Sequence, residues 1–104
     1  EQLLARDLAV SSIFIFCEAS ATDYAARMFF DAGGLREDPA TGSANSAFAI
    51  YLRDLCGEKR TQLVVAQGDY MNRPSRIYLE LDTDSYRVGG RVQSVATGKL
   101  SRYI

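Results

Sequence analysis

The chain is 104 residues long, with 12 Lys and Arg against 13 Asp and Glu, a formal net charge of −1, two cysteines and no histidine. That length holds one domain with a modest core, and the near balance of charge excludes a general pull toward nucleic acid or anionic lipid. The missing imidazole removes the commonest general base, the usual zinc ligand and every Ser-His or Cys-His nucleophile pair.

Taken in order, residues 1–8 repeat in a helical way, with Leu3, Leu4 and Leu8 on one side and Glu1, Arg6 and Asp7 on the other. A sequence that opens in mid-helix without an initiating Met reads as a processed, truncated or excised piece. Residues 11–18 carry Ile13, Phe14, Ile15, Phe16 and Cys17, an apolar run that predicts a strand buried on both faces. A polar turn follows, and residues 24–31 predict a second strand with Arg27 and Phe29 on one side and Met28 and Phe30 on the other. Ala32, Gly33 and Gly34 break it.

The stretch from Leu35 to Leu52 carries the strongest local signals. Pro39 bars Asp38 from the α region, so an extended segment ends there. Thr41 or Ser43 can cap a helix that starts near Gly42, where free N–H groups and a partial positive charge favour an anion. Between Ala44 and Leu52 the only polar side chains are Asn45, Ser46 and Tyr51, so this helix is expected to be buried on nearly every side. It is too short to span a bilayer, and no signal peptide is visible.

Gly57 is placed to end the helix at positive φ. Residues 61–67 and 76–81 predict strands, the latter alternating Ile77, Leu79 and Leu81 against Arg76, Tyr78 and Glu80. The loop between them is rich in turn formers. Residues 82–85 form another turn, and residues 86–96 predict a strand with a bulge or bend at Gly89-Gly90. Thr97-Gly98 leads into a short tail. The expected fold is α+β, one domain over residues 1–104, a mostly antiparallel barrel-like sheet around a central buried helix. Cys17 and Cys56 follow no CxxC pattern and read as buried or half-buried reduced thiols in a reducing, cytoplasmic compartment.

The run Glu37-Asp38-Pro39-Ala40-Thr41-Gly42-Ser43-Ala44, followed by Gln67-Gly68, Met71, Arg73-Pro74-Ser75, Val88-Gly89-Gly90 and Gly98, resembles the C-terminal half of the phenazine-biosynthesis isomerases, the PhzF-like proteins. The resemblance covers nearly the whole chain and implies the fold of diaminopimelate epimerase: two pseudo-symmetric halves, each a sheet around a helix, with the active site between them. It implies a cofactor-independent and metal-free proton transfer on a small carboxylate-bearing substrate, in some members a dihydro-hydroxyanthranilate on the way to phenazines. It further implies that Asp38 is a site carboxylate, that Ser43 hydrogen-bonds substrate, and that the N–H groups of Gly42 and Ser43 hold a carboxylate. The family's glutamate base and a histidine partner belong to the half not present here. Asn72 stands where the family usually has Gly, and Asn is the residue best able to replace Gly at positive φ.

Each of these residues also has a plain structural reading. Asp38 before Pro39 is an ordinary turn residue, and Thr41 and Ser43 are ordinary caps. Glu37 points away from Asp38 in an extended segment and reads as structural or solvated. Arg73 either grips a substrate carboxylate or makes an ion pair at the loop base. Tyr70 and Met71 read as core or cleft wall, and Arg27 and Arg36 as partners of nearby acids. The expected substrate-binding set is Thr41, Gly42, Ser43, Ala44 and Arg73, with Asp38 and Ser43 at the chemistry. The expected partners are a small carboxylate and a missing N-terminal lobe, with no nucleic acid and no membrane. The alternative is a half-length module that forms a homodimer and binds a small carboxylate or a protein partner without turnover.

Overall fold

A computed structural model of the chain describes residues 11–102, so the helix expected over residues 1–8 lies outside the described residues. The elements are β1 (Ser12–Glu18), β2 (Tyr24–Asp31), β3 (Leu35–Asp38), α1 (Gly42–Asp54), β4 (Gln62–Gln67), a 3-10 turn (Asp69–Met71), β5 (Ser75–Leu81) and β6 (Tyr86–Gly89). They make one six-stranded open sheet in the order β1-β2-β4-β5-β6, with β3 also on β2, and α1 lies across one face. The class is mixed α+β.

One edge of β2 pairs with β1 over its full length. The other edge is shared. Tyr24 to Ala26 pair in parallel with Val65 to Gln67 of β4, and Met28 to Asp31 pair antiparallel with Leu35 to Asp38 of β3. The sheet therefore forks beside Arg27, and the chain leaving β3 at Asp38 passes the end of β4 at Gln67. This fork is what brings two segments almost thirty positions apart into one network.

Period-two alternation decides the core. Leu63 and Val65 of β4, and Ile77, Leu79 and Leu81 of β5, face the helix with Tyr24 and Ala26. Against them α1 presents Asn45, Phe48, Ala49 and Leu52, the i, i+3, i+4, i+7 stripe of one helix face. Each fully buried Leu or Val contributes roughly 1.5–3 kcal/mol. At the end of α1, Gly57 takes φ +64 and lets the Glu58 N–H close on the Leu52 carbonyl at 2.9 Å.

Several expectations are corrected. The helix is buried on one face only: Ile50 and Tyr51 on the other are 38% and 41% exposed. β1 is an edge strand and is not covered on both sides, which leaves Ile15, Phe16 and Cys17 exposed. Cys56 is exposed as well, and neither thiol is paired with the other. The last strand stops at Gly89, opposite Tyr78, although β5 runs on to Ser75; the chain leaves the sheet there, and Val92 and Val95 stand in solvent. Tyr70, expected in the core or cleft wall, is 78% exposed and so outside the core, and it lines a surface pocket with Ile15, Phe16 and Arg27.

A charged cluster fastens the helix exit to the sheet. Arg60 grips Glu58 through Nε and Nη2 and reaches Asp23 through Nη1 at 3.0 Å, while Asp23 accepts from the Val64 N–H at 2.7 Å. The Arg60 hydrogen bonds, opposed in part by burial, lower the Glu58 carboxyl from its ordinary 4.5 to about 2. A depressed folded-state value means that this stability is fully present above pH 4.5 and is lost as pH falls through 2. Arg60 is half exposed, so solvent screens the pair and its contribution is small. Urea midpoints at pH 6 and pH 2.5 should therefore differ less in Glu58→Gln than in the parent chain. Equal differences would remove the pair from the account.

Candidate functional site

The site is built where β3 hands over to α1. Thr41 is the N-cap residue, extended at φ −116 and ψ 100, yet its side chain makes no capping bond. The sequence predicts a capping hydroxyl here, and that expectation is corrected. The Thr41 hydroxyl instead donates to Asp38 Oδ2 and accepts from Gln67 Nε2 at 2.9 Å. The Asn45 N–H is the first to close an intrahelical bond, on the Thr41 carbonyl. The N–H groups of Gly42, Ser43 and Ala44 consequently have no acceptor among the described residues.

Gln67 is fully buried at the end of β4 and is the centre of the network. Its Nε2 donates to the Asp38 carbonyl at 2.9 Å as well as to Thr41, and its Oε1 accepts from the Thr41 N–H at 3.3 Å and from Asn45 Nδ2 at 3.0 Å. Asn45, equally buried, also donates to the Thr41 carbonyl at 2.8 Å. The Ser75 hydroxyl lies within donor distance of the Pro39 carbonyl at 2.9 Å and the Gln67 carbonyl at 3.1 Å. Gly68 follows at φ +84, packed so closely that the Pro39 and Arg73 carbonyls occupy the space of a side chain. Asn72 takes φ 56, as expected of a residue in place of Gly.

The open flank of α1 and the helix-facing side of β1 and β2 enclose a groove of about 420 Å³. Phe14, Phe16, Met28, Phe48 and Tyr51 make it apolar, and Ser43 and Ala44 bring the helix N-terminus to it. Asp38 stands opposite Met28 in the β2–β3 register, on the same face of the sheet. An anion donor set, a carboxylate and an apolar wall thus meet at one place, an arrangement able to orient a small carboxylate with an apolar body.

Of the residues singled out in the sequence, Asp38, Thr41, Gly42, Ser43 and Ala44 come together. Arg73 does not join them through its side chain: it is exposed, and among the described residues the ion pair beside this loop is Arg76 with Asp69 at 3.1 Å. The Arg73 backbone serves instead, closing the turn with its N–H on the Gly68 carbonyl at 3.0 Å. Glu37 is turned to the opposite face and held by the Arg27 fork at 2.9 and 3.1 Å. That guanidinium, its pKa raised by the Glu37 hydrogen bonds, lies 4.8 Å from both the Phe29 and Tyr70 rings. Gln67 and Asn45 were missed as site residues. Their signal is positional: Gln67 continues the inward alternation of Leu63 and Val65, Asn45 lies on the buried stripe of α1, and two buried carboxamides must find partners.

The sequence pattern of a family described as "Phenazine biosynthesis-like protein" matches residues 4–98. The chain is similar to an uncharacterized isomerase of Mesorhizobium japonicum, 40% identical over 102 residues, covering 88% of this chain and 34% of that protein. An uncharacterized isomerase of Deinococcus radiodurans is 32% identical over 100 residues, covering 91% of this chain and 31% of its own. One from Pasteurella multocida is 39% identical over 79 residues, covering 71% and 26%. The chain spans about a third of the length of the curated relatives it matches. No solved structure matches it.

Proposed function

The chain belongs to the phenazine biosynthesis-like protein family, and from that membership we propose that it is one lobe of an isomerase that moves a proton on a small carboxylate-bearing substrate. The observation that carries the reading is the set of N–H groups at Gly42, Ser43 and Ala44, unpaired among the described residues, at an apolar groove lined by Ser43, Ala44 and Met28, the last paired in register with Asp38. The substrate carboxylate lies on those N–H groups, aided by the helix dipole and the Ser43 hydroxyl. The apolar wall of Phe14, Phe16 and Phe48 takes the substrate body and excludes water, which strengthens the polar contacts. One oxygen of Asp38 is held by Thr41, and the other faces the substrate as a hydrogen-bond acceptor.

The reaction itself is a proton taken from carbon and returned to another position. Its base comes from a second lobe that closes over the groove, so that the site lies between two halves, as in the diaminopimelate epimerase fold. Closure desolvates that base and brings its pKa toward neutrality. This lobe supplies binding more than chemistry, and neither metal nor organic cofactor enters. A dihydro-hydroxyanthranilate of phenazine synthesis has the required features: a carboxylate, a ring and a neighbouring donor.

The test is deuterium incorporation at carbon in D₂O. With that dihydro-hydroxyanthranilate, the 104-residue chain alone should give none. A polypeptide of the relatives' length carrying this sequence should incorporate deuterium, and Asp38→Asn in it should be slower by about 100-fold or more. Incorporation by the isolated chain, or an unchanged rate in Asp38→Asn, would contradict the proposal.

A further inference from the structure

Donor and acceptor counting in the buried network fixes more than its geometry. The Asp38 carbonyl can only accept and the Thr41 N–H can only donate, so the Gln67 carboxamide has a single orientation, Nε2 toward Asp38 and Oε1 toward the Thr41 N–H. The same orientation aims the second Nε2 hydrogen at the Thr41 hydroxyl oxygen. That hydroxyl then has its one proton left to give, and Asp38 Oδ2 is the acceptor in place. Asn45 spends both amide hydrogens on the Thr41 carbonyl and Gln67 Oε1, and among the described residues its buried Oδ1 accepts no bond, from the Thr41 hydroxyl or from any other group.

A threonine at an N-cap ordinarily turns its oxygen toward the N–H two or three positions on, worth about 1 kcal/mol to a helix. Here it does not, and the reason lies on β4. We propose that Gln67 is the positioning residue of the carboxylate site. By donating to the Thr41 hydroxyl it turns that group away from the helix end and onto Asp38. One carboxamide therefore keeps the N–H groups of Ser43 and Ala44 clear of the cap, beside that of Gly42, and presents Asp38 as an acceptor with one oxygen held and one available. The inference rests on the carboxylate-docking reading given above, and adds to it the residue that sets the direction of the Thr41 hydroxyl proton.

Two measurements on the chain test it. In the parent chain, cold proton NMR should show a Thr41 hydroxyl signal that exchanges more slowly than that of exposed Thr83 and gives NOEs to the Gln67 amide protons. Binding of anthranilate, an aromatic amino carboxylate, should weaken about tenfold in Gln67→Met as the freed hydroxyl caps the helix. Removing the hydroxyl as well, in Gln67→Met with Thr41→Val, should restore binding to the level of Thr41→Val alone. Loss in Gln67→Met without that restoration means plain structural damage and overturns the proposal. Where Gln67→Met does not fold, the hydroxyl signal decides: its absence overturns the positioning role whatever anthranilate does. A slow hydroxyl signal with no anthranilate binding overturns the docking reading and leaves the positioning role standing.

Discussion

Gly68→Ala should cost the protein at least about 3 kcal/mol of unfolding free energy, enough to remove most of the stability of a domain this size. Two causes add. At φ +84 any residue with a side chain is strained, and a Cβ built there lies 2.2 Å from the Arg73 carbonyl oxygen and 2.8 Å from that of Pro39. Both obstacles are backbone, so neither can swing aside as a side chain would. Relief requires the loop after β4 and the Asp38-Pro39 segment to separate, and that separation breaks the Ser75 bond to Pro39 and displaces Asp38 from Thr41. Gly57→Ala is the control. Its φ of +64 is equally unfavourable, but nothing lies within 4 Å of the added carbon, so its cost should be about 1 kcal/mol. Equal losses in urea melts of the two variants would mean that close approach at Gly68 contributes nothing.

Phe48→Ala should cost about 3 kcal/mol, near the lower end for a buried aromatic. Phe48 is 4% exposed and sits among three rings, with centroids at 4.5 Å for Phe16, 5.2 Å for Tyr24 and 5.4 Å for Phe14. Removing it deletes the ring that ties α1 to β1 and β2. The expected value is low in its range because Phe48 also lines the groove, so water and the half-exposed Phe16 can enter the space left behind. Tyr51→Ala, one turn along the open flank with, among the described residues, a single ring neighbour at 5.9 Å, should cost under about 1 kcal/mol. A loss in Phe48→Ala no larger than that in Tyr51→Ala would mean that the aromatic cluster does not hold the helix to the sheet.

Much of this architecture is legible in the residues. The boundaries of β2 were found at Tyr24 and Asp31, and the alternation of Ile77, Leu79 and Leu81 faces the core as read. These signals are local: a period of two and a β-branched or aromatic run are enough. What failed depends on partners distant in sequence. The apolar run of β1 says that something should cover it, but not whether these residues supply the cover. The strand at Tyr86 is shorter than its residues suggest, because the chain turns off the sheet after Gly89 while β5 continues to Ser75, and nothing local in Val92 or Val95 marks that departure. The helix reads as buried all round because Ala44, Ala47 and Ile50 are apolar and charge is absent before Arg53, whereas the sheet reaches only one of its faces.

In the site, Asp38, Pro39, Thr41 and Gly42 announced themselves through turn chemistry and a family motif. The role of Thr41 did not. A sequence rule places its hydroxyl on the helix it precedes, and only the fork of β2 between β3 and β4 brings Gln67 close enough to overrule that rule. Arg73 illustrates the converse. Its side chain invites a binding role, while its backbone against Gly68 is what the fold uses.

The most direct measurement is a titration of the isotope-labelled chain with anthranilate, followed by backbone amide shifts. The account predicts the largest, saturable shifts at Gly42, Ser43 and Ala44, with smaller ones at Phe14, Met28 and Phe48 along the groove. Shifts that centre on Arg60 and Asp23, or on Arg27 and Tyr70, would put the carboxylate on exposed cations and contradict the helix-end site.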